Sequence, residues 1–170
     1  MTGIAKFEKV SFDEFFAGIS DVNSDITKEE VKIMYEEVKL PKRATKGSAG
    51  YDFFAPYAFE VKPGETIKIP TGIRAKMDEA WVLSLYPRSG LGFKYRMQLN
   101  NTVGIIDSDY YYSDNEGHIF VKVTNDSNEG KVLAVGKGQG FVQGIFTQYG
   151  ITVDDEVTAV RNGGFGSTGN

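Results

Sequence analysis

Pro41, Pro56, Pro63, Pro70 and Pro87 fall between short apolar runs through the middle of the chain. Proline has no N–H to give to a ladder, so within sheets it is confined to edges, ends and bulges. This placement excludes long helices and long central strands there and leaves short strands joined by turns. Residues 59–61, 67–69, 73–75, 81–86, 119–124, 132–135, 141–149 and 158–160 read as such strands. Lys62-Pro63-Gly64-Glu65 reads as a turn, with proline pre-set for its second position. With 20 Gly, 12 Phe and 9 Tyr, the composition fits aromatic strands and many turns better than a helix bundle. The expected class is all-β: a sandwich, jelly roll or barrel.

The first 38 residues follow a different pattern. Ser11 and Glu14 have capping-box spacing, and Phe12, Phe15, Phe16 and Ile19 follow on one helical face. A polar break at 21–25 precedes a second box, Thr27 and Glu30, with Ile26 and Val31 at the staple positions. Val31, Met34, Tyr35 and Val38 continue the stripe. Two short helices are expected, at 12–18 and 27–36. The chain thus divides into a helical extension at 1–38 that packs on the main domain, a β core at 39–160 and a Gly-rich arm at 161–170.

Composition removes several kinds of chemistry. Without cysteine there is no disulfide, thiolate metal site or thiol nucleophile, and a single histidine argues against a multi-histidine metal centre. The net charge of −4 argues against a nucleic-acid polymer as partner. No apolar run approaches membrane-spanning length and the N-terminus lacks a signal-peptide pattern, so the expectation is a soluble cytoplasmic protein with no membrane partner.

Four clusters could carry chemistry. In Gly47-Ser48-Ala49-Gly50-Tyr51-Asp52, small residues allow close backbone approach and the carboxylate suits a hydrated magnesium ion; the plainer alternative is a loop entering a strand. Pro87-Arg88-Ser89-Gly90 offers a guanidinium, a hydroxyl and a glycine amide, the groups a phosphate needs, or else a turn with a solvated arginine. The run Asn101 to Tyr110 leads two apolar residues, Ile105 and Ile106, into Asp107-Ser108-Asp109. A carboxylate at the end of a buried strand suits a general base; the alternative is a hairpin with turn-forming Asp and Ser. Arg161 to Gly169 has the glycines and hydroxyls of a phosphate cradle, but no Walker lysine, and a solvated tail is the alternative. His118, with no companion His or Cys, reads as a turn residue.

In this order the clusters resemble the motifs of the homotrimeric dUTPase family. The resemblance runs from about Leu40 to Asn170. It rests on Ala49-Gly50-Tyr51-Asp52, Pro87-Arg88-Ser89-Gly90, Gly104-Ile105-Ile106-Asp107-Ser108-Asp109-Tyr110, Gly138-Gln139-Gly140-Phe141-Val142-Gln143 and Gly163-Gly164-Phe165-Gly166-Ser167-Thr168-Gly169. Any one of these is weak, whereas all five in sequence are specific. The resemblance implies a jelly-roll-like β-barrel that forms a homotrimer with shared active sites. The implied reaction is dUTP plus water giving dUMP and pyrophosphate, with Mg2+.

By the same resemblance Asp107 activates the attacking water, Tyr110 packs on the deoxyribose, and Asn101, Gly104 and the hairpin backbone read uracil. Arg88, Ser89, Gly90 and Gln143 contact phosphates, and Asp52 holds a magnesium-bound water. Arg161, Gly166, Ser167 and Thr168 grip the terminal phosphate, and Phe165 covers the base. Phosphoryl substitution depends on positioning and charge neutralisation, so a chain poor in Cys and His is suited to it. Three departures stand out: Gly140 where the family carries Arg, a longer turn over 111–117, and a spacing from Arg161 to Phe165 shorter by one residue than the commonest. The rival readings are dCTP deaminase, which shares the fold, and a nucleotide-gated protein-binding regulator.

Overall fold

The computed structural model describes residues 3–161 and residue 163. The chain runs β1 (Ala5–Lys9), α1 (Phe12–Val22), α2 (Lys28–Glu37), β2 (Lys42–Arg43), β3 (Tyr51–Phe54), β4 (Phe59–Val61), β5 (Thr66–Pro70) and β6 (Ile73–Met77). It continues through β7 (Trp81–Pro87), α3 (Ser89–Tyr95), β8 (Met97–Leu99), β9 (Gly104–Ile106), a 3-10 helix (Ser108–Tyr112), β10 (Phe120–Asn125), β11 (Leu133–Val135) and β12 (Gly140–Gln148). Strands dominate, in a five-stranded sheet ordered β2-β3-β12-β7-β9, a three-stranded sheet β5-β10-β8, and the pairs β1-β6 and β11-β4. Among the described residues no sheet closes into a barrel.

The N-terminal helices form where their caps predict, but the two caps differ. At Thr27 both bonds of the capping box are made: the side chain accepts from the Glu30 N–H, and Glu30 accepts from the Thr27 N–H at 2.9 Å. At Ser11 only half the box forms. The hydroxyl accepts from the Glu14 N–H, but the Ser11 N–H donates to Glu116, 105 residues away. Glu14 is thereby free to turn inward. Helix α1 runs four residues past its expected end, because Ile19 is buried in the core and Asn23 caps the last turn. Strand β1 was not legible as a strand; it pairs antiparallel with β6, Phe7 opposite Ala75, and so stitches the extension to the sheet.

The core is continuous, with Phe15 and Ile19 from α1 meeting Phe53, Leu83, Leu85, Ile106 and Phe141 from the strands. Alternation within strands follows period 2, as in β4, where Phe59 and Val61 are buried and Glu60 is exposed. The turn at 62–65 closes with the Glu65 N–H on the Lys62 carbonyl at 3.0 Å, and Gly64 takes φ +82°, which marks a type II turn.

Two expectations are corrected. Residues 158–160 form no strand; they lie exposed beyond the sheet, with no neighbouring edge to pair with. His118, expected as a turn residue, instead follows the turn at 114–117. It is wholly buried, because the chain must pass back under α1 to enter β10.

Candidate active site

Strand β12 lies between β3 and β7, and this gathers the first two motifs around the fourth. Gln143 sits opposite Asp52 on one side and Tyr86 on the other, and its side-chain amide donates to the Pro87 carbonyl at 3.2 Å. Its Oε1 lies 2.4 Å from where a Cβ on Gly50 would stand, so only glycine fits there while Gln143 holds this rotamer. Arg88 follows Pro87 and caps α3, and its Nε lies 3.1 Å from Asp52 Oδ1. The Arg88 side chain crosses Gly140, with Cδ 3.1 Å from a Cβ built there. Ser89 and Gly90 open α3 and are exposed; first-turn N–H groups have no partner within their own helix.

The third motif forms a separate cluster. Ile106 is buried and Asp107 follows it, half exposed, as the N-cap of the 3-10 helix. Arg161 spans two carboxylates, reaching Asp107 Oδ2 at 2.6 Å and Asp109 Oδ1 at 2.9 Å. Its guanidinium carbon stands 5.9 Å from the centre of the Tyr110 ring. Tyr110 is buried. Its O–H donates to the His118 carbonyl at 2.6 Å and accepts from the Asn115 amide at 2.8 Å. Burial pushes the Tyr110 phenol up to about 12, so the hydroxyl remains a donor at neutral pH. The hydroxyl end of this side chain is therefore anchored in the protein.

Asn101 and Gly104 share a cleft of about 260 Å³, lined also by Leu85, Leu99, Ile106 and Phe120. The hairpin tip beside it contains Thr102 at φ +66°, a left-handed conformation that a β-branched residue adopts only under strain. Phe165, Gly166, Ser167 and Thr168 lie outside the described residues.

The two clusters stand far apart in one chain. Ile106 pairs with Leu83 on β7, and Arg88 lies five residues on, just past the end of that strand. At about 3.3 Å per residue, Asp107 and Arg88 are separated by roughly 17–20 Å.

The sequence pattern of the dUTPase family matches residues 36–169. The chain is also 44% identical, over 135 residues, to the deoxyuridine 5'-triphosphate nucleotidohydrolase of Lactococcus lactis, covering 78% of this chain and 89% of that protein.

The chain belongs to the dUTPase family.

All five motifs of this dUTPase-family chain fall inside the matched span, whereas β1, α1 and most of α2 precede it. The fold agrees. The crystal structure of a dUTPase from Streptococcus mutans superposes with a TM-score of 0.64 at 33% identity, covering 88% of this chain and 98% of that one. A dUTPase from phage phi11 of Staphylococcus aureus, in a structure that describes coordination of a structural Mg(II) ion, superposes at 0.63 with 17% identity over 92% of this chain and 98% of its own, a likeness of fold alone.

Among the described residues no group of three or more His, Asp or Glu side chains is arranged to hold a metal ion. Asp52 faces Arg88, and Asp107 and Asp109 face Arg161. These donors fit a magnesium ion carried on substrate phosphates and water, with one carboxylate nearby; they do not form an all-protein cage. No helix among the described residues is long and apolar enough to cross a membrane.

Motif reading missed Asn115 and His118, which bond the Tyr110 hydroxyl, and Ser11, Glu14 and Glu116, which link the turn and His118 to α1. The available signal was the polar turn over 111–117 that follows the third motif.

Proposed function

We propose that this chain hydrolyses dUTP to dUMP and pyrophosphate, lowering dUTP and so limiting uracil incorporation into DNA while supplying dUMP for thymidylate synthesis. The observation that carries this reading is the ordered set of motifs inside the family match, with Asp107 presented half exposed directly after the buried Ile106 at the end of edge strand β9. Asp107 accepts a proton from water as its oxygen attacks the α-phosphorus, and the bond to the bridging oxygen breaks to release pyrophosphate. Arg161 holds Asp107 Oδ2, and the terminal phosphate of the substrate offers Arg161 a competing anion, whose capture of the guanidinium would raise the basicity of the carboxylate.

The ring of Tyr110, anchored at its hydroxyl, packs on the deoxyribose and leaves no space for a 2′-hydroxyl. Asn101, Gly104 and the hairpin backbone read uracil in the 260 Å³ cleft. Arg88, Ser89, Gly90 and Gln143 contact the phosphates. Arg161, Gly166, Ser167 and Thr168 grip the terminal phosphate while Phe165 closes over the base. Asp52 is the residue to hold a water of Mg2+, which when bound neutralises phosphate charge.

The roughly 17–20 Å between Asp107 and Arg88 supports composite sites, since groups that far apart in one chain cannot both reach the reacting phosphates. Ile151, Val153, Val157 and Val160 are exposed on the segment that leaves the last strand, which supports its seating on another copy. The assembly we propose is a homotrimer of jelly-roll subunits whose active sites draw on all three chains.

The test is pyrophosphate release from dUTP, dTTP, dCTP and UTP, with and without Mg2+. Release from dUTP alone, enhanced by Mg2+, is the expected result. Ammonia release from dCTP, or turnover indifferent to base and sugar, would overturn the reading.

A further inference from the structure

The extension and the turn over 111–117 are joined by a set of polar contacts between residues about a hundred positions apart. Helix α1 is already docked by Phe15 and Ile19, both buried in the core. Yet the carboxylate of Glu116 accepts from the Ser11 N–H at 2.8 Å and from its hydroxyl at 2.7 Å, capping α1 from across the sequence. The His118 ring closes a second link. Its Nε2 accepts from the Gly72 N–H at 2.9 Å, so Nδ1 carries the proton and donates to Glu14 Oε1 at 3.2 Å. From β1, Glu8 accepts from the Tyr111 hydroxyl at 2.6 Å, while Arg74 of β6 stacks over that ring at 4.4 Å.

These links end on the third motif. The carbonyl of His118 holds the Tyr110 hydroxyl, and Ser113 Oγ donates to the Tyr110 carbonyl at 2.6 Å. Tyr110 lies within the 3-10 helix that Asp107 caps. Segment 107–118 is therefore held by the extension at Tyr111, Glu116 and His118, and carries the candidate active-site residues Asp107 and Tyr110.

We propose that the N-terminal extension is a positioning element of the active site, in which Glu14 and Ser11 hold His118 and Glu116, and through them set the placement of Tyr110 and Asp107. The proposal rests on the dUTP reading for its kinetic consequence only. None of the four residues needs to touch substrate. Their effect passes through the Tyr110 anchor and the 3-10 helix, and a displacement of the order of 1 Å in reacting groups lowers rates by up to about a hundredfold.

Glu14→Ala removes the acceptor for His118 Nδ1–H, Glu14→Gln retains one, and Asp13→Ala alters the same helical turn without entering the network. The full chain is compared in two assays: kcat and KM on dUTP and UTP, and hydrogen exchange of peptides covering 107–118 and β12 without substrate. For Glu14→Ala we expect kcat on dUTP to fall about tenfold, the dUTP-to-UTP preference to shrink about fivefold, and exchange over 107–118 to quicken while β12 is unchanged. Glu14→Gln should restore most of each effect, and Asp13→Ala should resemble wild type. Glu14→Ala with a lowered melting temperature but kinetics, preference and 107–118 exchange within twofold of wild type would overturn the inference, leaving the network a matter of stability. A wild-type chain that releases no pyrophosphate from dUTP would sink the dUTP reading separately, since exchange is read without substrate and still decides whether the extension holds the segment. If Glu14→Ala folds poorly, Ser11→Ala at an exposed site replaces it: it removes the hydroxyl bond to Glu116 and the α1 cap but keeps the N–H bond to Glu116, so the same kinetic and exchange readings should move in the same direction by less, and unchanged readings would overturn the inference.

Discussion

Gly117 allows the turn before β10 to be tested by two matched substitutions. Gly64 and Gly117 both have positive φ, +82° and +73°, so alanine at either meets the same backbone penalty. That penalty is about 1–2 kcal/mol for an L-residue in the left-handed region. Their surroundings differ. Nothing lies within 4 Å of a Cβ built on Gly64, whereas one on Gly117 would stand 2.7 Å from Tyr111 Cα and 2.8 Å from the Tyr110 carbonyl oxygen. Those are backbone atoms of the last residue of the third motif and of the residue after it, and they cannot rotate away. Relief requires the segment to move, and overpacking of this kind adds about 1–3 kcal/mol. Gly64→Ala should therefore cost about 1–2 kcal/mol and Gly117→Ala about 2–5 kcal/mol in urea unfolding at one fixed protein concentration. Because the shifted carbonyl belongs to Tyr110, Gly117→Ala should also lose turnover on dUTP that Gly64→Ala keeps. If the two variants are equally stable and equally active, the tight packing of 110–117 is not what positions the motif.

Asp107→Asn keeps shape and hydrogen bonding but loses basicity, so turnover should fall about a hundredfold or more while dUTP binding, read by calorimetry, persists. His118 has its pKa pushed by burial from 6.5 to about 4, so the unfolded chain takes up a proton on acidification while the folded chain refuses it. Its contribution is then full above the unfolded value and is lost as pH falls from 6.5 towards 4, by on the order of 3 kcal/mol. Glu14, raised chiefly by burial and then by Glu116, acts in the opposite sense within the carboxylate range. Urea midpoints at pH 7 and pH 5 should differ more for wild type than for His118→Phe, and equal differences would contradict the assignment. Thr102→Asn, placing a residue that tolerates φ near +66° at an exposed tip, should raise stability by about 0.5–1 kcal/mol; a lower midpoint would mean the hairpin is unstrained.

What the residues determine locally was readable directly. Thr27 and Glu30 specify a helix start because both partners lie within one turn, and the capping box forms as its spacing predicts. Pro63 and Gly64 specify a turn for the same reason, and short strands form at the expected apolar runs between 59 and 149. The motifs were legible because each is a contiguous run whose order along the chain needs no three-dimensional knowledge. Contacts between distant segments were not legible. Strand β1 was missed because AKFEK becomes a strand only by pairing with β6, and 158–160 has the composition of a strand but no neighbour to pair with. The Ser11 half-box was unreadable because Glu116, 105 residues away, displaces the local partner and releases Glu14 towards His118. Burial of His118 depends on α1 lying over the entry to β10. The separation of Asp107 from Arg88 depends on the antiparallel register of β9 on β7, and this register supports the composite site we propose. Backbone propensity and capping act over a few residues and are written in order along the chain; pairing, burial and long-range ion pairs are chosen by the whole fold, where many partners compete for the same edge, pocket or charge.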